Sequence, residues 1–184
     1  MTAIDHERLS RVVSHALRHE PWLYELELDE EGWTDIDSVL TALRSEGPSW
    51  SALSEAHLVA MIARSSKARH EMRDGQIRAL YGHSLPGKLK KTMAAPPEQL
   101  FHGTSPKVLA EIKVTGLRPM GRQYVHLSVD RNMAVAVGRR KSREPMVLII
   151  AAAQANAAGH SFYLGNDKVW LADNIPPTFI TFGG

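Results

Sequence analysis

Apolar positions recur at helical spacing in the first third of the chain. Between His6 and His19, residues Leu9, Val12, Val13, Ala16 and Leu17 fall at i, i+3, i+4, i+7 and i+8, which predicts an amphipathic helix. Asp5 stands where an N-cap belongs, and Pro21 blocks continuation. Arg18 and His19 therefore occupy the last turn or lie just beyond it, beside the apolar stripe. Leu26 to Leu28 alternates apolar and acidic residues. A second helix is predicted from an N-cap at Thr34 to about Arg44, with Ile36, Val39, Leu40 and Leu43 inward. A third spans about Ser54 to Arg64 and buries Leu58, Met61 and Ile62. The period then changes. Residues 68–73 and 76–81 flank Asp74-Gly75, a two-residue hairpin signal. Three short helices followed by a hairpin is the order of a winged helix.

Residues 85–97 lack periodicity and carry Pro, Gly and Lys, as a linker does. They suggest a division into residues 1–92 and 93–184. The second part is richer in strand patterns. Leu100 to His102 reads as a short strand. Pro106 to Thr115 reads as a helix, with Ser105 as N-cap and Gly116 just past its end. Tyr124 to Val129 alternates as a strand, and Asp130 caps a helix running to about Val137. Met146 to Ala153, Lys168 to Leu171 and Pro177 to Phe182 are further strand candidates. No internal repeat or low-complexity tract is visible.

Composition narrows the class. The chain has 184 residues, 43% hydrophobic and 23% charged, which suits a soluble globular protein of one domain or two small ones. Its longest apolar run, Met146 to Ala153, is far short of the ~20 residues that span a bilayer. Asp5, Glu7 and Arg8 interrupt the N-terminus, so no signal peptide is expected. Cysteine is absent, which excludes disulfides, thiolate nucleophiles and thiolate metal sites and fits a cytoplasmic location. The net charge is only +2, but it is unevenly placed. Residues 24–37 hold seven acids, whereas residues 64–91 hold eight Lys/Arg against Glu71 and Asp74. Arg131, Arg139, Arg140, Lys141 and Arg143 form a second basic cluster without an acid. Such clusters on a nearly neutral chain point to local anion binding, or to solvated faces.

Several motifs invite chemistry, and each taken alone is weak. Gly82-His-Ser-Leu-Pro-Gly87-Lys88-Leu89 nearly matches a phosphate-binding P-loop, but Leu89 cannot hold magnesium and no good helix follows. His15 and His19 have chelating spacing, yet Ala16 stands where a zinc protease needs Glu, and no third ligand is evident. Glu25-Leu26-Glu27 resembles the paired acids of some arginine-modifying ADP-ribosyltransferases, but it lies in the acidic run, where a solvated strand face is the simpler reading. Arg18 and His19, taken alone, suit a helix C-terminus, where the macrodipole favours cations. His102-Gly103-Thr104 and His126-Leu127-Ser128 each sit in or at the end of a strand. A satisfied core histidine is the usual alternative, although exposed backbone at Gly103 would let a ligand approach closely.

In combination these islands resemble the NAD-dependent RNA 2′-phosphotransferase family, called KptA in bacteria. The resemblance covers almost the whole chain. It begins with Leu9-Ser10, Leu17-Arg18-His19 with Pro21, and Leu28-Asp29-Glu30-Glu31-Gly32-Trp33 followed by Asp35-Ile36-Asp37. It continues through Lys67-Ala68-Arg69, Ile77-Arg78-Ala79 and Gly82-His83-Ser84. It ends with Leu100-Phe101-His102-Gly103-Thr104, Ile112, Gly116-Leu117, Tyr124-Val125-His126-Leu127-Ser128, Val137-Gly138 with Arg140, and Val169-Trp170-Leu171. Three positions depart from the usual pattern: Tyr81 replaces Gln, Glu20 replaces Lys, and His70 replaces Phe after Arg69.

The resemblance implies an α+β fold in two lobes: an N-terminal winged-helix-like lobe that grips RNA and a β-rich C-terminal ADP-ribosyltransferase-like, PARP-like lobe that binds NAD. By motif, Arg18, His19, Arg69 and Arg140 are the catalytic set. His102, Gly103, Thr104, His126, Leu127, Ser128 and Val169 map to the NAD pocket, and Arg78, His83 and Ser84 to the RNA side. The implied reaction moves an internal RNA 2′-phosphate, as in tRNA splicing, to NAD through an ADP-ribosylated RNA phosphate. It yields 2′-hydroxyl RNA, nicotinamide and ADP-ribose 1″,2″-cyclic phosphate. NAD is consumed, no metal is required, and a monomer acting on tRNA-like RNA away from membranes is expected. A phosphate dianion needs forked donors, which suits Arg18, Arg69 and Arg140. His19 is suited to proton transfer, since an ordinary histidine titrates near pH ~6.5. Two other readings stay open: ADP-ribosylation of terminal phosphates on RNA or DNA, and a non-catalytic winged-helix nucleic-acid binder.

Overall fold

Asp5 opens helix α1 (His6–Arg18) in the way the periodicity predicts: its carboxylate accepts from the backbone N–H groups of Glu7 and Arg8. The computed structural model describes residues 4–80, 92–120, 122–165 and 168–183. Chain contacts divide it into two units, Met1–Lys88 and Leu89–Gly184.

In the first unit α1 ends at Arg18, and Pro21–Tyr24 forms a 3₁₀ turn. Thr34–Asp35 is a two-residue strand, β1, followed by α2 (Ile36–Arg44) and α3 (Glu55–Arg64). Helix α2 starts later than its predicted cap at Thr34. Thr34 instead pairs with Ile77 in the sheet, and Asp35 becomes the N-cap. Helix α3 keeps nearly its predicted span, with Ser54 as N-cap in a reciprocal capping box with His57. Leu26 to Leu28 adopts no regular element. The hairpin is β2 (His70–Arg73) and β3 (Gln76–Ala79), turning at Asp74 and Gly75 with φ 50° and 76°. Both turn residues are left-handed, the geometry that matches strand twist and favours Asp-Gly. The three strands form one antiparallel sheet, ordered β1-β3-β2.

Leu9, Val13 and Leu17 on one stripe of α1 meet Val39, Leu40 and Leu43 of α2, Leu58 and Met61 of α3, and Ile77 of the hairpin. Each such fully buried aliphatic side chain contributes about 1.5–3 kcal/mol relative to exposure. Trp33 is buried under the hairpin, with the Arg73 and Arg78 guanidinium carbons 4.9 and 4.6 Å from its ring centre.

The second unit is built on a seven-stranded antiparallel sheet. Its strands are β4 (Thr92–Met93), β5 (Leu100–Thr104), β6 (Val125–Ser128), β7 (Met146–Ile150), β8 (Phe162–Leu164), β9 (Val169–Ala172) and β10 (Ile180–Phe182). They lie in the order β10-β7-β5-β6-β9-β8-β4. Helices α4 (Leu109–Thr115), α5 (Arg131–Arg139) and α6 (Ala152–Ala157) accompany it. Leu100, Leu127, Leu148, Ile150 and Phe162 form the centre of its core.

Three expectations for this unit are corrected. The helix predicted from Pro106 begins as a 3₁₀ turn and becomes α-helical only at Leu109. The strand predicted from Met146 to Ala153 stops at Ile150, and α6 follows. Its run Ala-Ala-Gln-Ala-Asn-Ala has high helix propensity and lacks the β-branching of Val147, Ile149 and Ile150. The predicted strand from Pro177 is a 3₁₀ turn up to Phe179, and only Ile180–Phe182 pairs, against β7. Among the described residues no helix is long and apolar enough to cross a membrane.

Candidate active site

In the first unit the end of α1 delivers Arg18 beside the segment leading into β2. Its guanidinium Nη2 donates to the backbone carbonyl of Arg69 at 3.3 Å. The Leu80 N–H donates to the same oxygen at 3.0 Å, so that carbonyl is held from two sides. His70, the next residue, is only 4% exposed, and its Nε2 lies 3.1 Å from Ser14 Oγ on α1. Ser14 is one helical turn before Arg18, so the serine and the arginine share a face. Burial, with the guanidinium groups of Arg18 and Arg69 nearby, lowers the His70 pKa to about 4. His70 is therefore a neutral imidazole at pH 7. Arg18, Arg69 and His70 form one cluster in which two cations sit against an uncharged ring.

His19 is the C-cap of α1, its N–H bonded to the His15 carbonyl. Its ring centre is 6.1 Å from that of His15. His15 is committed locally: Nδ1 meets Tyr24 Oη at 3.0 Å and Nε2 meets Glu20 Oε2 at 2.9 Å. Glu20, one of the departures noted in the sequence, thus anchors His15. Both His15 nitrogens are used this way, and no group of three or more metal-type ligands occurs among the described residues. Glu25 also differs from expectation. It is 4% exposed, left-handed at φ 51°, and closes the 3₁₀ turn instead of lying on a solvated strand face. Arg78 is held by an ion pair with Glu71 and by the Trp33 ring, with Glu31 at 3.8 Å. Tyr81, His83, Ser84 and the P-loop-like stretch from Gly82 to Leu89 lie outside the described residues.

In the second unit the two predicted tripeptides lie on neighbouring strands, β5 and β6, which pair at Phe101 and Ser128. The next strand, β9, sets Val169 opposite Ser128 and Leu171 opposite His126. His102, Thr104, His126, Ser128 and Val169 are all buried. Four buried polar side chains on two adjacent strands demand partners. His102 Nδ1 meets one, the His126 carbonyl oxygen, at 3.0 Å. A carbonyl only accepts, so Nδ1 carries a proton and donates. Leu127 points into the core.

Gly103 meets a packing demand. It is buried, and a Cβ there would stand 1.7 Å from the Ala134 carbonyl oxygen and 2.8 Å from the Gly138 nitrogen, both on α5. A Cβ on Gly138 would stand 2.6 Å from Pro145 Cβ and 3.3 Å from the Gly103 Cα. Helix α5 therefore lies backbone against backbone on β5, which two glycines permit. This contact fixes the end of α5, where Arg140 is the C-cap, its N–H bonded to Val137 and Gly138 carbonyls. Arg139 is exposed while Arg140 is half-buried, which separates the two neighbours.

Sequence reasoning singled out Arg18, Arg69 and His102 but missed Ser14, and it had no way to pair Gly103 with Gly138. The spacing of Ser14 and Arg18 was a signal for the first. The second is a long-range contact without a local signal.

The family described as RNA 2′-phosphotransferase, Tpt1 / KptA family matches residues 5–174. A relative from Acetivibrio thermocellus is 51% identical over 182 residues, covering 99% of this chain and 100% of its own. One from Bacillus thuringiensis is 51% identical over 172 residues, covering 94% and 92%, and one from Agrobacterium fabrum is 44% identical over 174 residues, covering 94% and 91%. All three bear the name "Probable RNA 2′-phosphotransferase". With the match running from the cap of α1 to the strand that carries Val169, the chain belongs to the RNA 2′-phosphotransferase, Tpt1 / KptA family.

Proposed function

We propose that this protein removes an internal 2′-phosphate from RNA by transferring it to NAD. The products are 2′-hydroxyl RNA, nicotinamide and ADP-ribose 1″,2″-cyclic phosphate. The observation that carries the reading is the meeting of Arg18 with Arg69 over a neutral His70. Two guanidinium groups near one uncharged ring suit a dianionic phosphate, which they bind through forked hydrogen bonds. Arg140, the fourth member of the set named by resemblance, supplies a further guanidinium. His19 is the proton carrier on this reading, since the transfer must place a proton on the departing 2′-oxygen and remove one from the attacking hydroxyl.

The buried polar set of the second unit fits NAD as co-substrate. The His102 ring, oriented by its Nδ1 bond, and the hydroxyls of Thr104 and Ser128 match ribose hydroxyl and amide groups, and Val169 offers an apolar wall. His126 completes the set on β6. NAD supplies an anomeric carbon with a neutral leaving group, so departure there needs no general acid. Positioning and electrostatics then carry the rate. The winged-helix reading of the first unit rests on its order of three helices, a short strand and a hairpin, with Arg78, His83 and Ser84 on the RNA side.

The test is incubation with NAD and a 2′-phosphorylated oligoribonucleotide, following nicotinamide and the cyclic product. Formation of both supports the reading. Transfer of ADP-ribose to a 5′-phosphorylated end, with the 2′-phosphate untouched, would replace it with the terminal-phosphate activity. Binding of RNA without any consumption of NAD would leave a non-catalytic binder.

A further inference from the structure

A cleft of about 470 Å³ opens in the first unit between the start of α1 and the end of α3. Arg11, Arg64 and Arg69 line it, with Ser10 and Ser66. Ser10 is only 7% exposed, and its Oγ is buried without a hydrogen-bond partner among the described residues. His6, also on the wall, has its Nδ1 buried in the same condition. Buried polar atoms without partners are rare and costly, so each calls for a partner that the described residues do not supply. Glu7 on the rim opposes an anion with one charge against three. The chemistry is that of a phosphate with hydroxyl-bearing neighbours, and the volume suits a nucleotide unit better than a bare ion.

We infer that this cleft takes one nucleotide of the RNA strand next to the 2′-phosphorylated one, holding its backbone phosphodiester through Arg11 and Arg64 and a polar group through Ser10. The inference rests on the proposed RNA reading and deepens it: the substrate is a strand that continues past the reacting nucleotide. Arg69 belongs to both places, lining the cleft while its carbonyl holds Arg18. The flanking nucleotide would therefore set the register of the reacting one. Arg11 and Arg64 are exposed on helices, so their removal leaves the fold intact.

The experiment uses the full chain and two readouts. The first is binding of a fluorescent oligoribonucleotide lacking any 2′-phosphate, without NAD, across a salt series. Arg11→Ala and Arg64→Ala should each weaken it about tenfold and lower the salt slope by about one. Ser10→Ala should weaken it too without lowering the melting temperature, because the lost hydroxyl satisfied nothing in the free protein. The second readout is KM for a 2′-phosphorylated oligoribonucleotide against that for a nucleoside 2′-phosphate. The arginine variants should raise the first KM about tenfold and leave the second, and both kcat values, unchanged. Equal losses on both substrates would make the cleft the seat of the reacting phosphate and overturn the inference. Unchanged RNA binding in all three variants would overturn it as well, as would displacement of the RNA by inorganic phosphate at matching concentration. If no 2′-phosphate is removed by the unaltered protein, the proposed reaction fails, while the binding readout still decides the cleft.

Discussion

The side chain of Arg18 bonds to the main chain of Arg69, not to its side chain: Nη2 reaches the carbonyl at 3.3 Å. The two arginines are thus positioned differently. Arg18→Ala removes the bridge, whereas Arg69→Lys keeps it. We expect Arg18→Ala to lower kcat by at least about 10²-fold and stability by only about 1–2 kcal/mol, the value of one partly exposed charged hydrogen bond. Arg69→Lys should lose about tenfold or more in activity, since an ammonium cannot copy a planar fork, with an unchanged unfolding midpoint. Single-turnover rates and urea melts check both. Near-normal turnover by either variant would remove that residue from the site.

His70 makes stability depend on pH in a definite direction. Its pKa falls from 6.5 to about 4 in the folded protein. Above pH ~6.5 the ring is neutral folded or unfolded and carries no penalty. As pH drops from 6.5 through 4 the unfolded chain takes up a proton that the folded one refuses, and stability falls by about 3 kcal/mol. His70→Phe should flatten this part of the profile. The check is the difference between wild-type and variant unfolding free energies from pH 7 to pH 4, which cancels the carboxylates common to both. Parallel curves would mean that His70 titrates normally.

Gly103→Ala should be among the most damaging small substitutions in the second unit. Its methyl group would land 1.7 Å from the Ala134 carbonyl oxygen, an atom of helix backbone that cannot swing aside. Overpacking of this kind costs about 1–3 kcal/mol or more, and here it also displaces α5 and with it Arg140. Gly138→Ala meets the Pro145 side chain at 2.6 Å and should cost less, because the loop bearing Pro145 can yield. Urea midpoints rank the pair. A Gly138 variant weaker than the Gly103 variant would contradict the ranking.

His102→Ala should separate binding from folding. The His126 carbonyl loses its donor, at a cost of about 1–3 kcal/mol in unfolding free energy. On the proposed co-substrate reading the KM for NAD rises about tenfold or more, whereas KM for RNA stays near wild type. Steady-state titration of each substrate at saturating levels of the other measures this. A rise confined to RNA would move His102 out of the NAD site.

Much of the first unit was legible because its signals are local. Asp5 caps α1 and Asp74-Gly75 turns the hairpin, each within a few residues. Thr34 was misplaced because a helix cap and a strand residue look alike until Ile77 arrives from far along the chain. Alanines 151–153 were misplaced because an apolar run does not declare its period. The candidate site divides in the same way. Arg18, Arg69, His102 and His126 stood out by residue type and order. Ser14 behind His70, and Gly103 beneath α5, did not.

The amino-acid order by itself determined the helical stripe of α1, the hairpin turn, the absence of thiol chemistry and which charged and imidazole groups were available, since these depend on neighbours a turn apart or on composition alone. Only the tertiary structure decided that Arg18 is anchored on the Arg69 carbonyl, that His70 stays neutral, and that two glycines let a helix rest on a strand. Those properties arise from burial and from contacts between segments remote in sequence, where desolvation and close packing have no counterpart in local pattern.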